Sequence, residues 1–206
     1  MEARLKLSSE KPDIIAINET FLNRSVEQVN LTGYVLISRR DRRDNSGFGG
    51  IAVFARVGVA SYITFLESSD SDERSWHVIH SDIGPVLLGI WYRPPQNGEI
   101  ESIRNLENEW KRLQSQYIGT IIVGDLNVHH IRWLHFSSHT SVEGSLLWRF
   151  CTDHGFRQTV GAPTRGNHLL DLVLTDMDEV TDSCVLLTIA DHCLVRSYIE
   201  LQVPES

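Results

Sequence analysis

Short apolar runs, each about the length of a β-strand, recur along most of the chain between polar or glycine-containing segments. Two of them, "VLLGIW" and "TIIVG", are apolar almost without interruption, which is typical of strands buried on both faces. The pattern therefore predicts a protein dominated by strands. The predicted strands are 13–18, 34–38, 50–56, 60–66, 76–80, 85–91, 119–123, 169–175, 180–187 and 193–203.

Two longer segments repeat apolar residues at helical spacing, and a third is predicted as a short helix. Residues 99–116 carry apolar side chains every three or four positions, with glutamates and a lysine on the other side. Residues 142–154 form the second predicted helix, with Ser141 placed to cap its start and Gly155 following its end. Residues 1–9 are the third. Many strands with few helices predict an α+β sandwich of two mainly antiparallel sheets with helices outside.

The length and composition are those of one folded domain, and we expect residues 1–206 to form it. No apolar run is long enough to span a membrane, and no signal-peptide core follows Met1. Three cysteines without CxxC spacing do not suggest a disulfide framework, so we expect an intracellular, reduced protein. The net charge of −8 argues against nucleic acid as a partner, because phosphate binding depends on clustered lysine and arginine.

Ligand-type side chains stand at or near the ends of five predicted strands. Any one of them could be a turn former or a helix cap. Together they predict a site presented by the rigid edge of a sheet. These residues are Glu19, Tyr92, Asp125, Asn127, Asp171, Asp191 and His192.

The chemistry of this set favours a hard metal ion and a phosphoester. Carboxylate and amide oxygens suit Mg²⁺ or Mn²⁺, and a histidine beside a carboxylate can act as a base or a charged donor. The set therefore fits metal-assisted hydrolysis of a phosphoester by water. A zinc hydrolase fits less well, because HExxH is absent and the adjacent His129 and His130 diverge on an extended chain. We expect surface or supporting roles for these two histidines.

Five short motifs occur in a characteristic order: "INET", "WYRPP", "VGDLNVHH", "HLLDLVLTD" and "ADHCLV". In this order they resemble the endonuclease/exonuclease/phosphatase superfamily, which includes apurinic endonucleases and DNase I. The longer strings "SGFGGIAVFAR", "GDLNVHHIRW" and "APTRGNHLLDLVLTD" resemble the endonuclease domain of non-LTR (LINE-type) retrotransposons. The resemblance runs from about Leu5 to Val203 and implies a four-layered α/β sandwich with two central β-sheets.

Matching positions in the resemblance imply roles for the strand-end residues. Glu19 would bind the metal, with Asp191 near it. Asp125 and Asn127 would orient the attacking water and the scissile phosphate. The histidine His192 would contact the phosphate, Asp171 would hydrogen-bond to that histidine, and Tyr92 would contact the phosphate as well.

The reaction that the resemblance implies is a Mg²⁺-dependent nick in one DNA strand, with Mn²⁺ as the alternative ion. The nick leaves a 3′-OH that primes reverse transcription, so a reverse transcriptase domain and a nuclear location are expected. Two alternatives stay open. One is another phosphoesterase of the superfamily, acting on RNA or a phosphorylated small molecule. The other is a catalytically impaired remnant that serves as a binding module.

Four arginines cluster before "SGFGG" and three more lie within a few residues of a site motif, and together they could form a basic rim that binds DNA on an otherwise acidic body. The alternative is an ordinary solvated face. They are Arg39, Arg40, Arg42, Arg43, Arg93, Arg132 and Arg165.

The start of the sequence differs from the superfamily pattern. Superfamily members begin with a core strand that carries an asparagine of the metal site, and no such strand precedes Pro12. We therefore expect an open sheet edge beside residues 13–18, because the first core strand is lacking there. That edge would be covered by a homodimer or by a rearranged N-terminal segment.

Overall fold

The structure is a computed structural model that describes residues 11–42, 48–188 and 190–203. The predicted helix at 1–9 and Arg43 lie outside these ranges. The described strands are β1 (Ile14–Asn18), β2 (Tyr34–Arg40), β3 (Ile51–Arg56), β4 (Ile63–Ser68), β5 (Arg74–Ser81), β6 (Gly84–Trp91), β7 (Gly119–Asp125), β8 (Arg157–Gln158), β9 (Asp171–Thr175), β10 (Val180–Thr188) and β11 (Cys193–Ile199). The α-helices within the same ranges are α1 (Glu101–Leu113) and α2 (Val142–His154).

A six-stranded sheet with the order β4-β5-β6-β7-β9-β8 forms the centre of the molecule. All its neighbouring strands are antiparallel except β6 and β7, which are parallel and connected through α1. Residues 86–91 of β6 are all buried, so this strand is covered on both faces. That burial explains why its sequence is apolar without alternation.

The remaining described strands form two smaller units, a sheet of order β1-β3-β2 and the β10–β11 hairpin. Ile51 and Val53 of β3 and Val195 of β11 pack into the same core as the six-stranded sheet. The predicted α+β sandwich is therefore confirmed. Strand β1 is hydrogen-bonded to β3 on one side, and none of the other described strands pairs with it on the other.

The two helices follow the sequence signals closely. Helix α1 begins at Glu101, and its predicted last turn is a 3₁₀ turn at Gln114–Gln116. Helix α2 has the predicted bounds, because the Ser141 hydroxyl accepts a hydrogen bond from the Gly144 N–H and Gly155 adopts a left-handed φ of 74°. Within the described ranges, neither helix is long and apolar enough to cross a membrane.

Strand β9 begins at Asp171, two residues later than predicted. The preceding residues form a turn in which Arg165 and His168 pair as an isolated bridge. The Thr164 hydroxyl accepts hydrogen bonds from the backbone N–H groups of Leu170 (3.1 Å) and Asp171 (3.0 Å). Asp171 is therefore the first residue of β9, at the end of the strand rather than in its middle.

Candidate active site

Three side chains from separate parts of the chain converge beyond the ends of β1 and β7. The ligand atoms of Glu19, Asp125 and His192 all lie within 4.8 Å of one another. Glu19 follows β1, Asp125 ends β7, and His192 lies in the turn between β10 and β11. Two carboxylates and an imidazole at this spacing could hold a metal ion.

Glu19 is held in an unusual backbone conformation. Its φ is 52°, a left-handed value that costs a non-glycine residue about 1–3 kcal/mol. The following backbone is fixed to the loop before β3, because the Thr20 N–H donates to the Gly50 carbonyl (3.2 Å) and the Phe21 N–H to that of Gly49 (3.1 Å). The Glu19 carboxylate is therefore directed towards the site by the surrounding backbone.

Tyr92 follows β6 and donates its hydroxyl to the Glu19 Oε1 atom at 2.8 Å. Burial raises the pKa of Tyr92, and its hydrogen bond to the Glu19 carboxylate raises that pKa further. The phenol is therefore protonated at neutral pH and acts as a fixed donor. In this structure it orients Glu19.

Gly124 allows β7 to approach the end of β6. Its φ is 149°, and a Cβ atom on it would lie 1.8 Å from the Trp91 carbonyl oxygen. The Asn18 amide also donates to that oxygen, at 3.2 Å. The ends of β1, β6 and β7 therefore meet at one carbonyl, immediately beside Asp125.

Asn18 is a site residue that the sequence reasoning did not single out. Its amide nitrogen fixes β1 to the end of β6, while its Oδ1 atom is buried and has no hydrogen-bond partner among the described residues. The available signal was its position, since it is a polar residue that ends an apolar strand directly before Glu19.

His192 is oriented by Asp171, which lies opposite Asp125 in the β7–β9 pairing. The Nδ1 atom of His192 is 2.8 Å from the Asp171 Oδ2 atom, and its Nε2 atom is 3.8 Å from the Asp125 Oδ2 atom. The hydrogen bond to Asp171 raises the pKa of His192, although burial opposes this shift. The Nε2 atom makes no hydrogen bond within the described structure and can donate to a ligand.

Asp125 is almost completely buried, and burial is the main reason why its pKa rises to about 7. The charge of Asp171 raises it further. Its Oδ1 atom has no hydrogen-bond partner among the described residues. A buried carboxylate with an unsatisfied oxygen is stabilised by a cation, and the nearby carboxylate of Glu19 adds a second oxygen ligand. These residues therefore fit a hard divalent ion such as Mg²⁺ or Mn²⁺.

Asn127 is connected to Asp125 through Arg93. The Arg93 N–H donates to the Asp125 carbonyl at 2.8 Å, and the Asn127 amide donates to the Arg93 carbonyl at 3.0 Å. Asn127 adopts a left-handed φ of 45°, which this contact stabilises. The structure therefore holds Asn127 beside the group of Glu19, Asp125 and His192.

Arg93 does not face the solvent, which argues against its predicted role as a DNA contact. It is 1% exposed, and its guanidinium donates to the Ser102 hydroxyl and to the carbonyls of Glu99 and Asn127. Its guanidinium group is therefore bound to internal partners, and one of these bonds stabilises the backbone at Asn127.

Asp191 was predicted near the metal, but the structure does not bring it into the group of three. Its exposed carboxylate pairs with Arg165 at 2.6 Å. Asp191 therefore lies outside this group in the structure, and its place near the metal stays a prediction.

The other predicted DNA-binding arginines differ in accessibility. Arg39 is bound to Asp41 and to the carbonyls of Asn23 and Val26, and Arg40 donates to the Ser69 carbonyl. Arg132 and Arg165 are both exposed, although Arg165 pairs with Asp191, whereas Arg42 is half-buried. Arg132 and Arg165 are thus the most accessible of the described set.

A sequence profile described as endonuclease-reverse transcriptase matches residues 86–196, more than half of the chain. The chain belongs to the endonuclease-reverse transcriptase family. The matched region includes Tyr92, Asp125, Asn127, Asp171 and His192, but Glu19 lies before it. A search of curated proteins by sequence gave no match.

Solved structures show which fold this family member adopts. The endonuclease domain of TRAS1, a telomere-specific non-LTR retrotransposon, superposes with a TM-score of 0.71 at 16% identity, covering 92% of this chain and 86% of that one. The Xenopus laevis APE2 catalytic domain gives 0.70 at 17% identity, covering 92% and 84%. A Neisseria 3′ phosphatase, NExo, solved with a product DNA hairpin, gives 0.65 at 13% identity, covering 93% and 90%. The chain therefore has the DNase I-like fold of endonuclease/exonuclease/phosphatase proteins.

Proposed function

We propose that this family member is a metal-dependent DNA endonuclease that nicks one strand and leaves a 3′-OH that primes reverse transcription. The observation that carries the proposal is the convergence of Glu19, Asp125 and His192 within 4.8 Å, with Asp171 bonded to the histidine. This arrangement supplies hard oxygen ligands and a fixed charged donor at one place, as hydrolysis of a phosphodiester requires.

Glu19 and Asp125 would hold Mg²⁺ or Mn²⁺. When bound, such an ion polarises the phosphate and neutralises its negative charge. Tyr92 keeps the Glu19 carboxylate in place through its 2.8 Å hydrogen bond. The buried Asp125, whose carboxylate charge is disfavoured in the absence of a cation, becomes a stable anion once a cation is beside it.

His192 would donate from Nε2 to a non-bridging oxygen of the scissile phosphate. Its Nδ1 atom is already bound to Asp171, so the imidazole has one orientation and its protonated form is favoured. A charged donor that is fixed in advance stabilises the extra negative charge of the transition state. Asn127, together with Asp125, would orient the attacking water.

DNA is the proposed substrate, bound by the accessible Arg132 and Arg165, with Arg42 and Arg43 after β2 as further candidates. The acidic body makes this binding weak and strongly dependent on salt. Since the family description pairs an endonuclease with a reverse transcriptase, we infer that a reverse transcriptase domain acts with this one and that its DNA substrate is nuclear.

A homodimer through β1 is also proposed. Strand β1 pairs with β3 on one side only among the described strands, and an unpaired edge can hydrogen-bond to a second copy. Light scattering with multi-angle detection tests this part separately. A monomer at micromolar concentration contradicts it without affecting the nuclease proposal.

The nuclease proposal is tested by converting supercoiled plasmid to nicked circles in Mg²⁺, in EDTA, and with Asp125→Ala. We expect nicking by the parent in Mg²⁺ only, and loss in the variant. Extension of the nick by a DNA polymerase, without prior phosphatase treatment, tests for the 3′-OH.

The two alternatives give different results in the same experiment. A phosphoesterase for RNA or small phosphorylated molecules leaves the plasmid intact but hydrolyses its own substrate in Mg²⁺. A catalytically impaired binding module retards DNA in a gel without cutting it.

A further inference from the structure

Three histidine side chains form a cluster that is separate from the group of Glu19, Asp125 and His192. The ring centroids of His129 and His139 are 4.6 Å apart, and those of His129 and His168 are 5.5 Å apart. His129 and His139 belong to the segment between β7 and α2, whereas His168 lies in the turn before β9. The imidazole of His129 therefore has two other imidazoles close to it, one from the same segment and one from the turn before β9.

His129 is held by the start of α2. Its carbonyl accepts a hydrogen bond from the Ser141 N–H at 2.9 Å. Gly144 packs so closely that a Cβ atom on it would lie 2.0 Å from the same carbonyl oxygen. The backbone that carries this imidazole therefore cannot move without disturbing the helix cap.

The backbone of His168 is also fixed by hydrogen bonds, whereas His139 lies on an exposed segment. The His168 N–H donates to the Arg165 carbonyl at 2.9 Å, and the His168 carbonyl accepts from the Thr164 N–H at 2.8 Å. His139 is exposed on the segment before α2. The cluster thus has two anchored imidazoles and a third on an exposed segment that can adjust to a ligand.

One ring nitrogen of the cluster is unsatisfied. The Nδ1 atom of His129 is buried and has no hydrogen-bond partner among the described residues. Burial lowers the pKa of His129, and the two neighbouring histidines lower it further. The imidazole is therefore neutral at pH 7, which is the form that binds metals.

We propose that His129, His139 and His168 bind Zn²⁺ or a similar borderline divalent ion. In a tetrahedral site with Zn–N bonds of about 2.0–2.1 Å, the centroids of two imidazole ligands lie about 5 Å apart. The two centroid distances around His129 bracket this value. The nitrogens of the three rings do not all lie within 4.8 Å of one another in this structure, so binding requires rotation of the imidazoles, and water takes the remaining position.

This site is chemically distinct from the candidate active site. Three imidazoles select zinc, copper or nickel, whereas the carboxylates of Glu19 and Asp125 select magnesium or manganese. Bound zinc would link the segment after Asn127 to the turn before Asp171. It would therefore stabilise the two segments that flank the active site, and its binding does not depend on nuclease activity.

Zinc binding can be measured by competition with a chromophoric chelator, in excess Mg²⁺. The Asp125→Asn background weakens binding at the active site. Two single variants in this background, His139→Ala and His168→Ala, remove exposed ligands. His135→Ala is the matched control, because His135 is exposed on the same segment and lies outside the cluster.

We expect about one zinc per chain in the background protein and in the His135→Ala control, and at least tenfold weaker binding in the other two variants. Thermal unfolding gives a second measurement: zinc should raise the midpoint of the control but not that of His168→Ala. Melting without zinc verifies that every variant is folded, and the glutamine substitution at the same position replaces any alanine variant that is not.

Two results would overturn the proposal. One is the absence of zinc binding at micromolar concentration in the background protein. The other is equal zinc affinity in the control and in both ligand variants, which would place the metal elsewhere on the chain.

Discussion

Replacing Gly124 by alanine is expected to damage the candidate site through the backbone alone. An added Cβ atom would lie 1.8 Å from the Trp91 carbonyl oxygen, and real Cβ atoms essentially never come closer than 3.0 Å to another atom. The strand ends must therefore separate by about 1.2 Å or more. Asp125 is the next residue and moves with them.

The size of the effect follows from two costs. Forcing alanine into a φ of 149° costs about 1–3 kcal/mol, and overpacking against a backbone atom costs a further ~1–3 kcal/mol. We therefore expect the free energy of unfolding to fall by about 2–6 kcal/mol. A displacement of about 1 Å at a catalytic group lowers the rate by roughly 100-fold, and we expect this loss of nicking under conditions where the variant is folded.

Chemical denaturation measures the first effect, and plasmid nicking below the melting temperature measures the second. Two glycine variants separate the causes. Gly98→Ala has a φ of 75° and no atom within 4 Å of the added Cβ, so it reports the backbone cost alone, about 1–2 kcal/mol. Gly161→Ala has neither a positive φ nor a near neighbour and should be close to neutral.

The opposite result would be that Gly124→Ala unfolds like Gly98→Ala and nicks plasmid at the parental rate. That result would mean that the ends of β6 and β7 do not approach each other closely, and that Asp125 is not positioned by this contact.

Three further predictions concern charged side chains. The folded pKa of Asp125 is raised to about 7, above its unfolded value of about 4, so the stability that it contributes is complete below about pH 4 and is lost as the pH rises through 7. The metal-free Asp125→Asn variant should therefore melt at a temperature that depends less on pH between 4 and 7 than the parent does; parallel melting curves would contradict this. His192→Ala should lose far more nicking activity than Asp171→Asn, because His192 would contact the phosphate while Asp171 only orients it; equal steady-state losses would mean that the two act as one unit. Arg93→Ala should lower the free energy of unfolding by about 3–5 kcal/mol, because it leaves buried partners unpaired. Arg132→Ala should keep its stability but reduce, by about one, the slope of the logarithm of the DNA-binding constant against the logarithm of the salt concentration. The reverse pattern would place Arg93 at the DNA.

The sequence was sufficient wherever the signal is local. Helix α2 has its predicted bounds because Ser141 and Gly155 mark the two ends by their own hydrogen-bonding and conformational preferences. The buried strand β6 was recognisable because a strand covered on both faces has no polar positions. The strand-end residues were recognisable for the opposite reason, since polar side chains interrupt apolar runs.

The sequence was insufficient wherever the partner of a side chain lies far away along the chain. Arg93 lies beside a site motif in the sequence and was therefore predicted to be accessible. Only the tertiary structure shows that its guanidinium is bound to Ser102 and Glu99. The sequence predicts Asp191 near the metal, whereas its carboxylate pairs with Arg165 in the structure. In the histidine cluster, His129 and His168 are 39 positions apart, so no spacing rule could have joined them.

The Mg²⁺ dependence of nicking, compared between the parent and Glu19→Gln, tests the central claim most directly, because it joins the residue, the metal and the reaction. Glu19 supplies one of the two carboxylates that would hold the ion, and Mg²⁺ depends on few protein ligands. We predict that nicking by the parent requires Mg²⁺ and saturates, and that Glu19→Gln needs at least tenfold more Mg²⁺ for half of its maximal rate. Nicking that persists in EDTA, or that depends on Mg²⁺ equally in both proteins, would contradict the account.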